Sequence, residues 1–290
     1  MPPWTKLPPP SPPIRSLLGV DHGLFGPGSV TWKVHSSPVM LIGGLRALMI
    51  QALHPLAMAG VMQHSDFRAR PLQRLGRTVE FVASVTFGDT ATAEAAGAEV
   101  RRVHTYIHGI DRVTGRPYSA EDPETLLWVH CVETHSFLAA YRAYGGPLAA
   151  DEQDAFLAES ARAAALVGVP PGDVPPTVAD MREYFAAMLP TLCASQAAQE
   201  AIRFVARPPA TRELLPLLPA LRLSAEAAVT IVPRHLRRMA GIDRWRALDA
   251  AAYVPVVAAA RSLALALRLP YAEAGLREAR KALLALPRAA

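Results

Sequence analysis

PVMLIGGLRALMIQALHPLAMAGVM, residues 38–62, is the stretch whose reading decides the fold. As one uninterrupted helix it is long enough to cross a bilayer. Three residues oppose that reading. Arg46 near the centre of a span is costly, and His54-Pro55 would break the helix where lipid cannot satisfy the freed backbone groups. The stretch therefore reads as two helices, 39–53 and 55–63, buried inside an all-α core.

Outward from this stretch, apolar residues keep recurring at helical spacing, and alanine-rich and leucine-rich segments favour helix by propensity. Further helices are predicted over 71–87, 91–108, 121–144, 151–167, 177–189, 196–205, 211–221, 224–231, 233–239, 243–262 and 270–286. Strand-like alternation bounded by turn signals is hard to find. Asp122-Pro123 is a good helix start, Tyr144-Gly145-Gly146-Pro147 a stop, and Gly168 to Asp173 a turn-rich connection. No internal repeat and no long linker divides the chain. It reads as a single large helical domain over 31–290 behind a proline-rich N-terminal arm over 1–30, whose first 13 residues have polyproline character.

Composition narrows the class. With 290 residues, 51% hydrophobic and 19% charged, the chain can bury a large core and is no disordered tail. Its net charge of +5 comes from scattered arginines, without the basic runs and interleaved aromatics of a nucleic-acid surface, so no nucleic-acid partner is expected. The excess charge suits an anionic ligand or a membrane surface. Cys131 and Cys193 lack CxxC spacing and read as reduced core residues. The start shows no basic segment followed by an apolar run, so a cytoplasmic location is the default expectation. A basic cluster at Arg234, His235, Arg237 and Arg238 follows a leucine-rich segment. It reads as part of a closing helical layer, with peripheral membrane contact as the alternative.

Polar residues interrupt four apolar faces. In VRRVHTYIHG, residues 100–109, Val100, Val103 and Ile107 form the inward stripe. His104 lies at its edge and His108 farther round, towards a helix end at Gly109. In PLQRLGRTVEFVASVTFG, residues 71–88, Arg74, Thr78, Phe81 and Val85 share a face, and Arg77 flanks it. A buried guanidinium is expensive without an anion, so Arg74 calls for a carboxylate, a propionate or a phosphate, or a route to solvent. In residues 123–145 the inward set is Leu127, His130, Thr134, Phe137 and Tyr141, with His135 off that row and expected to be exposed. His54 stands within the hydrophobic stretch quoted first.

Each histidine alone reads as satisfied core. Together, inward-facing His104, His130, His54, Arg74 and Thr78 on four helices suit one buried polar site, and such sites in helical proteins are often cofactor sites. Zinc is a poor fit, because HxxxH lacks the glutamate of HExxH and the wheel spreads its rings apart. A di-iron carboxylate site fails on count, since Glu133 and His135 have the wrong spacing. CxxCH is absent, so a haem here would be the non-covalent b type, which asks for one inward histidine, an apolar cavity and arginines for its propionates. A cofactor-free scaffold with a structural polar network stays open beside it.

The stretches TWKVHSSPVMLIGGLRALMIQALHPLAMAGVMQHSDF, RLGRTVEFVASVTFG, VRRVHTYIHGID and GRPYSAEDPETLLWVH resemble the bacterial branch of the oxygenase family that includes the fungal MpaB proteins and the catalytic domain of latex-clearing rubber oxygenases. The resemblance runs in order from about Thr31 to about Leu189. It implies an all-helical, globin-reminiscent domain around a buried haem b pocket, with a histidine as proximal iron ligand. By motif, His104 matches that metal ligand, and Arg74 and Thr78 match the RxxxT pair on the distal side. Where rubber oxygenases carry a lysine beside the threonine, this chain has Arg77, whose guanidinium keeps its proton and is a poor iron ligand. The expected activity is oxidation by dioxygen of an apolar unsaturated substrate such as an isoprenoid or lipid chain. A haem-binding or haem-sensing protein without turnover is the alternative.

Overall fold

The computed structural model describes residues 21–212, 214–243 and 254–261. The architecture is all-α, built from α1 (Val30–His35), α2 (Met40–Gln51), α3 (Pro55–His64), α4 (Pro71–Phe87), α5 (Thr90–His104), α6 (Pro123–Ala140), α7 (Ala150–Leu166), α8 (Val178–Met188), α9 (Gln196–Ala206), α10 (Leu218–Ile231) and α11 (Arg234–Met239). A further helix, α12, covers residues 254–261.

At the centre, α2 lies against α6, with α9 and α10 packed on its other sides. Such a helix must be apolar nearly all round, which is why residues 38–62 look membrane-like in sequence. Gly43 permits the α2–α6 approach: a Cβ there would stand 2.8 Å from the Phe137 ring and 3.1 Å from the Ser136 carbonyl oxygen. Arg46 is 2% exposed yet paired to no acid among the described residues: its Nε donates to the Ile231 carbonyl (3.0 Å) and its Nη1 to Ser136 Oγ (2.6 Å). Ile231 ends α10, where unsatisfied carbonyls concentrate negative partial charge, so the helix end offsets part of the buried cation. Burial still pulls the guanidinium pKa down to about 9.

Between α2 and α3 the chain bends by 106° at the His54-Pro55 break. The two helices together have the length and apolar composition of a span, but among the described residues no single helix does. Pro55 opens α3, and His54 Nδ1 caps it by accepting from Ala57 N at 3.3 Å.

Four expectations are revised. The helix expected over 91–108 stops at His104, and the chain enters a β-hairpin, β1 (His108–Ile110) paired antiparallel with β2 (Pro117–Ser119). Asp111 builds its turn by accepting from Val113 N, Thr114 N and Thr114 Oγ1, and Gly115 supplies a φ of 71° that a side chain would resist. The helices expected over 211–221 and 224–231 are replaced by a 3₁₀ turn at Leu215–Leu217 that leads into one continuous α10. A short helix, α1, occupies residues left unassigned, and α6 ends in a π-turn at Tyr141–Gly145. Of the helix expected over 243–262, residues 254–261 are helical. The helix expected over 270–286 and the first 20 residues of the arm lie outside the described residues.

Candidate functional site

The site is laid out by a helical hairpin. Pro71 opens α4, Gly88 ends it, and Asp89 caps α5 by accepting from Thr92 N at 2.8 Å. A Cβ on Gly88 would stand 2.4 Å from the Ser84 carbonyl oxygen, so the turn is as tight as a glycine allows. Arg74 precedes the end of α4 by thirteen residues and His104 follows the start of α5 by fourteen, roughly 20 Å of helix in each case. The hairpin thus brings Arg74 and His104 to the same end, away from the turn.

On α5 the fully buried positions are Ala93 and Gly97. Gly97 abuts α7, where an added Cβ would meet Leu166 at 2.8 Å. His104 falls on the same side of the helix as these two. It is half-buried, and its ring forms no hydrogen bond with a described residue. Burial lowers its pKa and outweighs the opposing pull of Glu121, so the ring is neutral near pH 7 with both nitrogens uncommitted.

Arg74 is half-buried, and its Nη1 donates to Ser65 Oγ at 2.7 Å. Burial, and then the neighbouring Arg77, lower its pKa, and no carboxylate among the described residues pairs with it. Arg77 is half-buried beside it. Thr78, expected to face inward, is exposed instead, and its hydroxyl donates back to the Arg74 carbonyl at 3.3 Å. This end of the hairpin therefore offers a neutral, uncommitted imidazole and cations without an acid. It can take a metal centre that carries its own anionic groups.

His130 and Thr134 belong to a different neighbourhood. His130 Nε2 lies 3.2 Å from Ser160 Oγ and 3.5 Å from Thr134 Oγ1. The Ser160 hydroxyl donates to the Leu157 carbonyl, so its oxygen accepts from Nε2–H of His130. Burial pushes the pKa of His130 down to about 4. His54 is separate again, capping α3 with its ring 5.8 Å from that of Trp128. The sequence candidates therefore occupy three hydrogen-bond neighbourhoods rather than one. His108 is exposed on β1, so the HxxxH pair is split between a helix and a strand. His135, expected to be exposed, is half-buried 5.0 Å from the Phe185 ring. Burial, Arg46 and Arg142 press its pKa down to about 3.

Two polar groups, His35 and His64, escaped the sequence reading, and Glu133 entered it only as a di-iron ligand that failed on spacing. His35 on α1 contacts Thr86 Oγ1 through Nδ1 at 2.7 Å, edge-on to Phe137 and Phe156, and burial lowers its pKa to about 3. Glu133, one turn beyond His130, has no hydrogen bond or ion pair with a described residue, and burial raises its pKa to about 7. The wheel that marked His130 places Glu133 on nearly the same face, a signal within reach of sequence. At the end of α3, His64 Nε2 meets Tyr118 Oη at 3.1 Å, next to the Ser65 that holds Arg74.

A family model described as ER-bound oxygenase mpaB/B'/Rubber oxygenase, catalytic domain, matches residues 32–265. The chain belongs to this family. No curated protein and no solved structure matches it. The matched span holds the α4–α5 hairpin, the β-hairpin and all the candidate residues, so membership makes this an oxygenase catalytic domain. Among the described residues no group of three or more His, Cys, Asp or Glu is placed to hold a metal ion. That observation bears on multi-ligand sites only, because a porphyrin iron draws as little as one ligand from the protein.

Proposed function

We propose that this oxygenase domain is haem b-dependent and acts with dioxygen on an apolar, unsaturated substrate such as an isoprenoid or lipid chain. The observation that carries the reading is His104, half-buried, neutral and with a ring bonded to no described residue, at the same end of the α4–α5 hairpin as Arg74. Axial ligation needs a neutral imidazole with a free ring nitrogen. The propionates need cations, and Arg74 and Arg77 are cations that no described acid answers. These residues fit the group the family resemblance implies.

When bound, haem would supply an iron at which dioxygen is activated. His104 would hold that iron. Arg74, steadied by Ser65, would keep a donor directed at an anionic or polar atom beside it, and Arg77 would add a second guanidinium, a poor iron ligand, on the same side. The Thr78 hydroxyl is bonded only to the backbone of its own helix and is available to reorient towards a ligand. Addition of both atoms of dioxygen across a C=C bond, with cleavage of that bond, gives two carbonyl groups.

The test is dioxygen uptake by the haem-supplied protein with an unsaturated isoprenoid and with its saturated counterpart. Uptake and carbonyl product with the first alone, reduced at least tenfold in Arg74→Ala, is the expected result. Haem binding without uptake on any unsaturated lipid would instead assign a binding or sensing role.

A further inference from the structure

We propose that the β1–β2 hairpin and the turn leading into it are a docking element for an anionic lipid surface. The segment follows His104 directly. Its inner face is spoken for: a Cβ on Gly109 would meet the Tyr118 hydroxyl at 2.9 Å, Tyr118 bonds His64 on α3, and Gly60 of α3 lies under Ile107 and Tyr118. The outer face is open. Tyr106 and Ile110 are 58% exposed and Val113 is 54% exposed, three large apolar side chains within eight residues.

Scattered exposed apolar residues need no explanation, but this group does not stand alone. Arg112 and Arg116 are exposed at the turn and pair with no described acid. The one acidic residue in 105–119 is Asp111, which is 3% exposed and folded inward onto Thr114. The exposed side chains of 105–119 therefore include an aromatic ring, two aliphatic groups and two cations with no exposed acid; the next acids, Glu121 and Glu124, lie beyond β2 at the start of α6. That composition suits the headgroup boundary of a bilayer containing anionic lipid. The other basic cluster is differently placed. Arg234 and Arg238 converge on Asp243 at 3.3 and 3.2 Å, and Arg237 is buried.

Docking here would set the His104 end of the α4–α5 hairpin beside the lipid phase. The contact itself needs no haem, so its test stands apart from the functional reading. The full chain, without added haem, is floated with phosphatidylcholine vesicles with and without phosphatidylserine, at low and high salt. Wild type should float with the anionic vesicles and be released by salt. Arg112→Ala with Arg116→Ala, both surface positions whose side chains bond no described residue, should weaken partitioning roughly thirtyfold, at about 1 kcal/mol for each arginine near an anionic surface. Ile110→Asp with Val113→Asp should abolish flotation with an unchanged circular dichroism spectrum. Arg234→Ala with Arg238→Ala should float like wild type. Wild type that stays in the soluble fraction would overturn the proposal, as would hairpin variants that float undiminished.

Discussion

Glu133 stands one turn after His130 and one turn before Phe137 on α6, and burial with no partner among the described residues raises its pKa from 4.5 to about 7. Between those values the folded chain binds more protons here than the unfolded chain. Stability therefore falls as pH rises from about 4.5 to about 7, by up to about 3 kcal/mol, and stays lower above. His35, His130 and His135 work in the opposite sense. Their folded pKa values of about 3, 4 and 3 lie below the usual 6.5, so their contribution is complete above 6.5 and is lost as pH falls from there towards the folded values. Glu133→Gln removes only the first effect. In denaturant titrations the variant should gain on wild type by about 2–3 kcal/mol at pH 8, with most of that gain gone at pH 5, while both chains keep the same steep loss in acid. An equal difference at both pH values would mean that the carboxyl is solvated or paired in the folded chain.

Helix–helix approach decides what two glycines do at the scale of the elements. Gly97 in α5 faces α7, with Leu166 Cβ 2.8 Å and Leu166 O 2.9 Å from where a Cβ would stand, whereas nothing lies within 4 Å of that position at Gly76 in α4. Gly76→Ala should stabilise the chain by up to about 1 kcal/mol through helix propensity. Gly97→Ala should cost about 1–3 kcal/mol, because the gain in propensity is smaller than the strain of moving α7. Thermal melts of the pair check both signs. The same contrast explains which element boundaries were legible. Pro55, Pro71 and Pro123 each open a helix where the sequence puts them, since proline at the first turn removes a donor that has no partner there. The β-hairpin was not legible: strands of three residues leave no alternation to count, and the hairpin depends on Asp111 in its turn and on α3 behind Tyr118, which is tertiary information. Pro216 and Pro219 stand inside the helix expected over 211–221, yet they fall in the 3₁₀ turn and the first turn of α10, where they begin a helix.

For the molecule as a whole, the all-α class and the burial of residues 38–62 were readable because α2 is packed on nearly every side and the His54-Pro55 break is local chemistry. The direction of His104 was also readable, since it follows from periodicity within one helix. The grouping of His104, His130 and His54 was not, because the wheel fixes where a side chain points but leaves open which helix stands opposite. Helix neighbours place His130 against Ser160 on α7 and His54 against Trp128 on α6, while the α4–α5 hairpin sets Arg74 level with His104. Haem binding by this domain therefore turns on one imidazole. The absorption spectrum of the purified chain supplied with haem, taken for wild type and for His104→Ala, tests it most directly. A Soret band in wild type that is lost or shifted in the variant is the predicted result; no band in wild type, or the same band in both, would contradict it.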